Sequence, residues 1–180
     1  MFQSQSNASP DITITSSEDG AEINVTGGDT SVLLGYGSTV IENVTINVTG
    51  CDNYSPNPFN VYGNLTLGEG TVVNVDYLGT SLISNNGAVA IEINGAEINI
   101  GTFKTNATPV IYLNQASTLE IYNTEMTISN FVPSTFGGDA FISKVNGVTI
   151  QNFTFDVKDA NDVEYTYQDT GAGNYRIVVK

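Results

Sequence analysis

The chain has 180 residues, with 19 acidic against 5 basic, no histidine and a net charge of −14 at pH 7. A field of that sign repels phosphate backbones and anionic lipid headgroups, which excludes nucleic-acid binding and attraction to anionic membrane surfaces. The lack of histidine removes serine–histidine–aspartate and cysteine–histidine catalysis, and with them the commonest zinc ligand.

Hydrophobic residues make up 40% of the chain and charged residues only 13%, so a single packed domain with a neutral polar surface is expected. Asn, Thr, Ser and Gly supply that surface. The charge is uneven: residues 1 to 103 hold 11 acidic side chains and no Lys or Arg. No segment approaches the roughly 20 apolar residues of a membrane-spanning helix, so no membrane insertion is expected. Cys51 is the only cysteine, so it has no internal disulfide partner and reads as an inert thiol.

Residues 1 to 10 are polar and read as a flexible tail. Met1 to Gln5 show neither the basic nor the apolar region of a signal peptide. From Asp11 the chain alternates apolar and polar residues with period two, the mark of half-buried strands. Ile12 and Ile14 begin the pattern. It then recurs at Ile23-Asn24-Val25, Ile46-Asn47-Val48, Val73-Asn74-Val75, Ile98-Asn99-Ile100, Leu119-Glu120-Ile121 and Val148-Thr149-Ile150. Stacked, these six copies predict two inward columns of branched aliphatics and one outward column of Asn24, Asn47, Asn74, Asn99, Glu120 and Thr149. The outward asparagines are placed to form amide ladders between coils.

Shorter strands precede several copies across Gly or Asn turns. Examples are Leu65-Thr66-Leu67, Ile91-Glu92-Ile93 and Ile111-Tyr112-Leu113. A strand, turn, strand and variable loop, returning every twenty-odd residues, is the pattern of a solenoid rung. The predicted fold is all-β: a right-handed parallel β-helix of about six rungs over residues 11 to 157. A jelly roll or β-sandwich is the alternative. Residues 158 to 180 predict a C-terminal antiparallel hairpin cap, with strands at Val163–Tyr167 and Tyr175–Val179 joined at Gly171-Ala172-Gly173.

The rungs resemble those of the pectate-lyase-like right-handed β-helix superfamily, particularly adhesin-like surface proteins of bacteria and archaea. The resemblance is carried by Val148-Thr149-Ile150-Gln151-Asn152-Phe153-Thr154-Phe155 and covers roughly residues 20 to 157. It implies a fold and no particular activity. Lyases of the superfamily use Arg or Lys against uronate sugars, and its glycosidases use clustered Asp. Here Arg176 is the single arginine, Lys104, Lys144 and Lys158 are scattered, and Asp139 stands alone after Gly137-Gly138. The expectation is therefore a non-enzyme.

No cofactor is expected. Calcium is the one ion the oxygen ligands suit. Its candidate ligands are Asp156, Asp159, Asp162 and Glu164, with Asn161 among them, and Glu18, Asp19 and Glu22 form a second acidic patch. Asn-x-Ser/Thr sequons begin at Asn7, Asn24, Asn43, Asn47, Asn53, Asn64, Asn106 and Asn152, and these are the candidate glycosylation sites. Tyr54, Phe59, Tyr62, Tyr77, Phe131 and Phe136 fall near the corner loops, where they would pack or stack on sugars. The expected role is a non-catalytic structural or adhesive module at the cell surface or outside the cell. Its partner would be itself, in an oligomer or filament, or a surface glycan or protein. A carbohydrate-binding or tailspike-like receptor-binding module is the second reading, and a glycan lyase or hydrolase the third.

Overall fold

The computed structural model describes residues 2–3, 11–18, 20–27, 33–50, 57–85, 87–104, 108–113, 116–134, 139–143 and 145–180. Among them there is no helix, and strand dominates. The strands fall into three parallel columns. The first holds β1 (Phe2–Gln3), β4 (Leu33–Gly35), β7 (Phe59–Val61), β10 (Ile83–Asn85), β13 (Ile111–Tyr112) and β16 (Ala140–Ser143). The second holds β2 (Ile12–Thr15), β5 (Thr39–Glu42), β8 (Leu65–Leu67), β11 (Ala90–Asn94), β14 (Thr118–Tyr122) and β17 (Gly147–Gln151). The third holds β3 (Glu22–Thr26), β6 (Thr45–Thr49), β9 (Val72–Leu78), β12 (Glu97–Lys104), β15 (Glu125–Val132) and β18 (Thr154–Lys158).

Each strand pairs in parallel with its counterpart one coil away. Glu22 lies opposite Thr45, and Ile111 opposite Ile142. A jelly roll or sandwich would require antiparallel neighbours, so the parallel solenoid stands. Every column has six members, but only the middle four coils are flanked on both sides in every column. The stack therefore amounts to about four full turns, slightly fewer than the six rungs expected, because the first and last coils are edge layers.

Alternation builds the core. In the third column Ile46, Val48, Val73, Val75, Ile98, Ile100, Met126 and Ile128 are all buried. In the second, Leu65, Leu67, Ile91, Ile93, Leu119 and Ile121 face them. Each such side chain contributes about 1.5–3 kcal/mol by leaving water. The assignment of Leu119/Ile121 and Val148/Ile150 to the Ile23/Val25 column is corrected here. They belong to the second column, beneath Ile91/Ile93. The third column continues instead through Met126/Ile128 and Phe155/Val157. Both columns alternate branched aliphatics, so the pattern alone does not tell them apart.

Closure comes from β19 (Glu164–Gly171) and β20 (Asn174–Val179). They pair antiparallel with each other, β19 also with β18 and β20 also with β16. The hairpin thus bridges the third and first columns across the end of the stack and joins them into one 14-stranded sheet. Its turn places Ala172 at φ 52° and Gly173 at φ 70°, the signs a tight two-residue hairpin requires. A Cβ at position 173 would meet the Val145 carbonyl oxygen at 1.8 Å, so only glycine lets the turn rest on the last coil. Beneath it Phe141, Phe153, Phe155, Tyr167 and Tyr175 form a ring cluster with centroids 4.8 to 6.1 Å apart.

Candidate functional site

The outer face of the third column carries the most regular chemistry. Asn24, Asn47, Asn74 and Asn99 stand in register on β3, β6, β9 and β12, followed by Thr127 on β15. Asn47, Asn74 and Asn99 each donate an Nδ2–H to the Oδ1 of the asparagine before it. The distances are 2.8 Å for Asn47 to Asn24, 2.8 Å for Asn74 to Asn47 and 3.0 Å for Asn99 to Asn74. Glu22 and Glu97 accept from the Asn24 and Asn99 amides at 3.4 and 2.7 Å. The expected amide ladder is therefore present. An asparagine amide has two N–H donors and two lone pairs on its oxygen. The ladder engages one of each at Asn47 and Asn74.

Two residues further along, Thr26, Thr49, Asp76, Gly101 and Ser129 form a second row. Thr26 and Thr49 hydroxyls lie 3.4 Å apart, and Asp76 Oδ2 accepts the Gly50 amide at 2.7 Å. Beyond this row, β9, β12 and β15 break their alternation. Val75, Ile100 and Ile128 are buried, the next two residues of each strand are not, and Leu78, Phe103 and Phe131 are buried again. The strands bend there. At the bend a Cβ on Gly101 would meet the Asp76 carbonyl oxygen at 2.6 Å. The result is an open groove of about 590 Å³ running along the stack, lined by β3, β6, β9, β12 and β15. Its signal in the sequence was the three-fold recurrence Val75-Asp76-Tyr77-Leu78, Ile100-Gly101-Thr102-Phe103 and Ile128-Ser129-Asn130-Phe131, which a strict period-two reading passes over.

The corner between the second and third columns is a one-residue left-handed turn in most coils. Asn43, Asn123 and Asn152 adopt φ of 53°, 47° and 49° there, and Gly70 and Gly95 serve the same position. Asn152 Nδ2 donates to Asn123 Oδ1 at 3.1 Å and Asn123 Nδ2 to Asn94 Oδ1 at 3.3 Å, a second amide ladder. Beside it a cavity of about 610 Å³ is lined by Glu42, Glu69 and Glu92 with Asn94 and Asn123. Glu92 lies opposite Glu120, and Glu97 opposite Glu125, on adjacent strands.

The calcium candidates do not converge. Asp159 Oδ1 accepts the backbone amides of Asn161 and Val163 at 2.8 and 3.0 Å, and Tyr165 Oη donates to its Oδ2 at 3.3 Å. The Asn161 amide, then the Val163 amide, hold this carboxyl below its ordinary value. Asp162 occupies a left-handed turn position, Glu164 pairs with Lys180 at 3.2 Å, and Asp156 sits outward on β18 opposite Thr127. Among the described residues no three His, Cys, Asp or Glu side chains gather as a metal site. Asp19 of the second patch lies outside the described residues.

Of the sequon asparagines, Asn47 Nδ2 donates within the first ladder, Asn24 Nδ2 donates to Glu22 Oε2, and Asn43 Nδ2 donates to the Ser16 carbonyl at 2.7 Å. Asn152 is in the corner ladder. Asn64 is exposed, and its Oδ1 accepts the Ala90 amide at 2.9 Å. Asn7, Asn53 and Asn106 lie outside the described residues, as do Cys51, Tyr54, Phe136 and Lys144. Of the aromatics expected near the loops, Phe59 and Phe131 are fully buried in the core and offer no sugar platform. Tyr62 stacks on Tyr36 with centroids 4.3 Å apart, and burial pushes the half-buried Tyr77 hydroxyl above its ordinary value.

The fold and site define a parallel β-solenoid with a ladder-lined groove. No protein-family model, curated protein or solved structure matches the chain.

Proposed function

We propose that this chain is a non-catalytic structural or adhesive module of an extracellular or cell-surface protein, akin to the adhesin-like β-helices its rungs resemble. The observation that carries this reading is the Asn24 to Asn99 ladder. Outward polar side chains there bond coil to coil, which stiffens a rod with a repetitive surface, instead of converging on one reacting atom. The different ends of the stack support a role in assembly. The hairpin pairs with the last strands of the first and third columns at one end and leaves β17 an edge, whereas at the other end β1, β2 and β3 each have a partner on one side only among the described residues. Unpaired strand edges of this kind template association with further strands.

Labelling of intact source cells with an antibody to the folded chain tests the location. Surface labelling without permeabilisation is the expected outcome, and signal only after lysis would reject the reading. Light scattering on purified protein across a hundredfold concentration range tests the assembly arm. Growth in mass with concentration is expected of a filament subunit, and a constant monomer mass would remove that arm.

A further inference from the structure

Asn-Gly occurs three times in the chain, at 86–87, 94–95 and 146–147. A glycine after asparagine has no Cβ to shield its main-chain nitrogen, which can then attack the asparagine's own side-chain carbonyl carbon. Asn86 lies outside the described residues. The other two pairs have similar neighbours in sequence: a β-branched residue before (Ile93, Val145) and an apolar one after (Ala96, Val148). Their surroundings in the fold are opposite. Asn94 ends β11, a strand paired on both sides. Its Oδ1 accepts from Asn123 Nδ2 at 3.3 Å, its Nδ2 donates to Glu92 Oε1 at 3.3 Å, and the Gly95 nitrogen donates to the Tyr122 carbonyl at 3.0 Å. Asn146 and Gly147 are exposed, and Gly147 opens β17, the strand at the edge of its sheet. Successive residues of a strand direct their main-chain groups to alternate sides. The Asn146 N–H donates to the Ser117 carbonyl at 2.9 Å, so the Gly147 N–H points to the side on which β17 has no partner among the described residues.

We infer that Asn146-Gly147 is a site of spontaneous main-chain rearrangement that ages the closed end of the stack. The Gly147 nitrogen attacks Asn146 Cγ. The N–Cγ bond forms, the Cγ–Nδ2 bond breaks, and Nδ2 leaves as ammonia with the proton that Gly147 gives up. Solvent water then opens the five-membered ring. Attack at Cγ gives aspartate, and attack at the main-chain carbonyl carbon gives isoaspartate, in which the chain runs through the former side chain. Both products add a negative charge, and isoaspartate also adds one methylene to the main chain. The lengthened link adjoins Val145, whose N–H donates to the Gly173 carbonyl at 3.2 Å and so seats the hairpin turn on the last coil. At Asn94 the same dipeptide is held shut, because its amide is bonded at both ends and the Gly95 nitrogen is already committed.

Incubation of the full chain in mildly alkaline buffer, followed by peptide mapping, tests the inference. Trypsin releases Asn146 in the peptide from Val145 to Lys158, and a glutamate-specific protease releases Asn94 in the peptide from Ile93 to Glu97. In the folded protein Asn146 should convert at least about tenfold faster than Asn94, whose reaction waits for β11 to open. In concentrated urea the two rates should become similar, because the sequence neighbours are alike. Gly147→Ala shields the nitrogen, and beyond its chain neighbours a Cβ there meets only Thr118 Cγ2, at 3.9 Å. That variant should fold and lose the conversion. Aged wild type should melt below Asn146→Asp, which has the charge without the added methylene. Equal rates at the two sites in the folded protein, conversion of Asn146 in urea alone, or conversion that persists in Gly147→Ala overturns the proposal. Aged protein that melts together with Asn146→Asp overturns the effect on the closed end. If Gly147→Ala fails to fold, the comparison of folded protein with urea decides.

Discussion

The two ends of the solenoid begin from the same strand pattern and reach different states. At the start of the stack Ile12, Ile14, Ile23 and Val25 are half-buried. One coil on, Ile46 is 1% exposed and Val48 3%. At the far end Phe155 is 9% exposed and Val157 1%, although β18 also ends its column's parallel run, while Val148 and Ile150 on β17, which the hairpin does not pair, stay half-buried. The difference is the hairpin. Tyr165 and Ile177 cover the last coil, and Tyr165 meets Phe131 edge-on at 4.9 Å, which extends the Phe103–Phe131 stack. In a solenoid each coil contacts only its neighbours, so stability is carried coil by coil and an end is as strong as whatever covers it.

The sharpest way to break this comparison is to truncate the same residue type in two coils. Ile98→Ala removes a side chain with 0% exposure between two flanking coils and should cost about 2–5 kcal/mol. Ile23→Ala, at the half-buried end, should cost less than half as much, because water already reaches the site. Urea unfolding of both variants measures the two losses. Equal losses would mean that the open end is covered as fully as the middle. Amide exchange provides the same contrast without mutation: β3 should exchange faster than β12.

The ladder provides a smaller and more local contrast. Asn74→Ala removes two coil-to-coil hydrogen bonds and Asn24→Ala removes one. At about 0.5–1.5 kcal/mol per hydrogen bond, the first should cost up to about twice the second. Urea midpoints of the two variants check the ratio. A negligible cost at Asn74 would show that water replaces the ladder without loss, and the rod would then owe its stiffness to its core.

Smaller again is the hairpin turn. Ala172 is a non-glycine residue at φ 52°, a region that costs an L residue roughly 1–2 kcal/mol relative to its right-handed counterpart. Ala172→Gly should therefore raise stability by up to about 1 kcal/mol, less the entropy that glycine loses on folding. A lower melting temperature would show that the turn is not strained.

Much of this architecture is legible in the residues. Ile23-Asn24-Val25 and its next three copies define one column, and a strand preference written in Val, Ile and Thr makes the all-β assignment direct. The hairpin follows from Gly171-Ala172-Gly173 between two alternating runs. What misleads is that Leu119-Glu120-Ile121 has the same pattern as Ile98-Asn99-Ile100 while lying in another column. Inward-facing aliphatics are interchangeable between columns, and register is set by corners. Asn123, the left-handed corner after β14, aligns with Asn43 and Gly95 and marks the true column, yet an isolated asparagine carries no such label in the sequence. The groove was half legible. Its asparagines stood out, but the bend at Gly101 depends on how closely the Asp76 carbonyl approaches, a distance that no local pattern encodes.

The finest test of the closed end is electrostatic. Asp159 joins β18 to the hairpin and is held below its ordinary pKa by the Asn161 and Val163 amides. A carboxyl with a folded pKa below its unfolded one adds stability that is fully present above the unfolded value. That contribution is lost as pH falls through the folded value. Asp159→Asn keeps an oxygen to accept the amides and gives up the charge. The wild type should therefore melt slightly higher than Asp159→Asn at neutral pH. The gap should close as the solution is acidified from the ordinary carboxylate pKa down through the lowered one. Because the group is in contact with solvent, the gap should be the smallest of the four effects and should shrink with salt. A gap of constant size across that window would mean that Asp159 works through the shape of the turn alone. Loss of the gap together with faster exchange in β19 would tie the charge to the docking of the hairpin, and so to the feature that distinguishes the closed end from the open one.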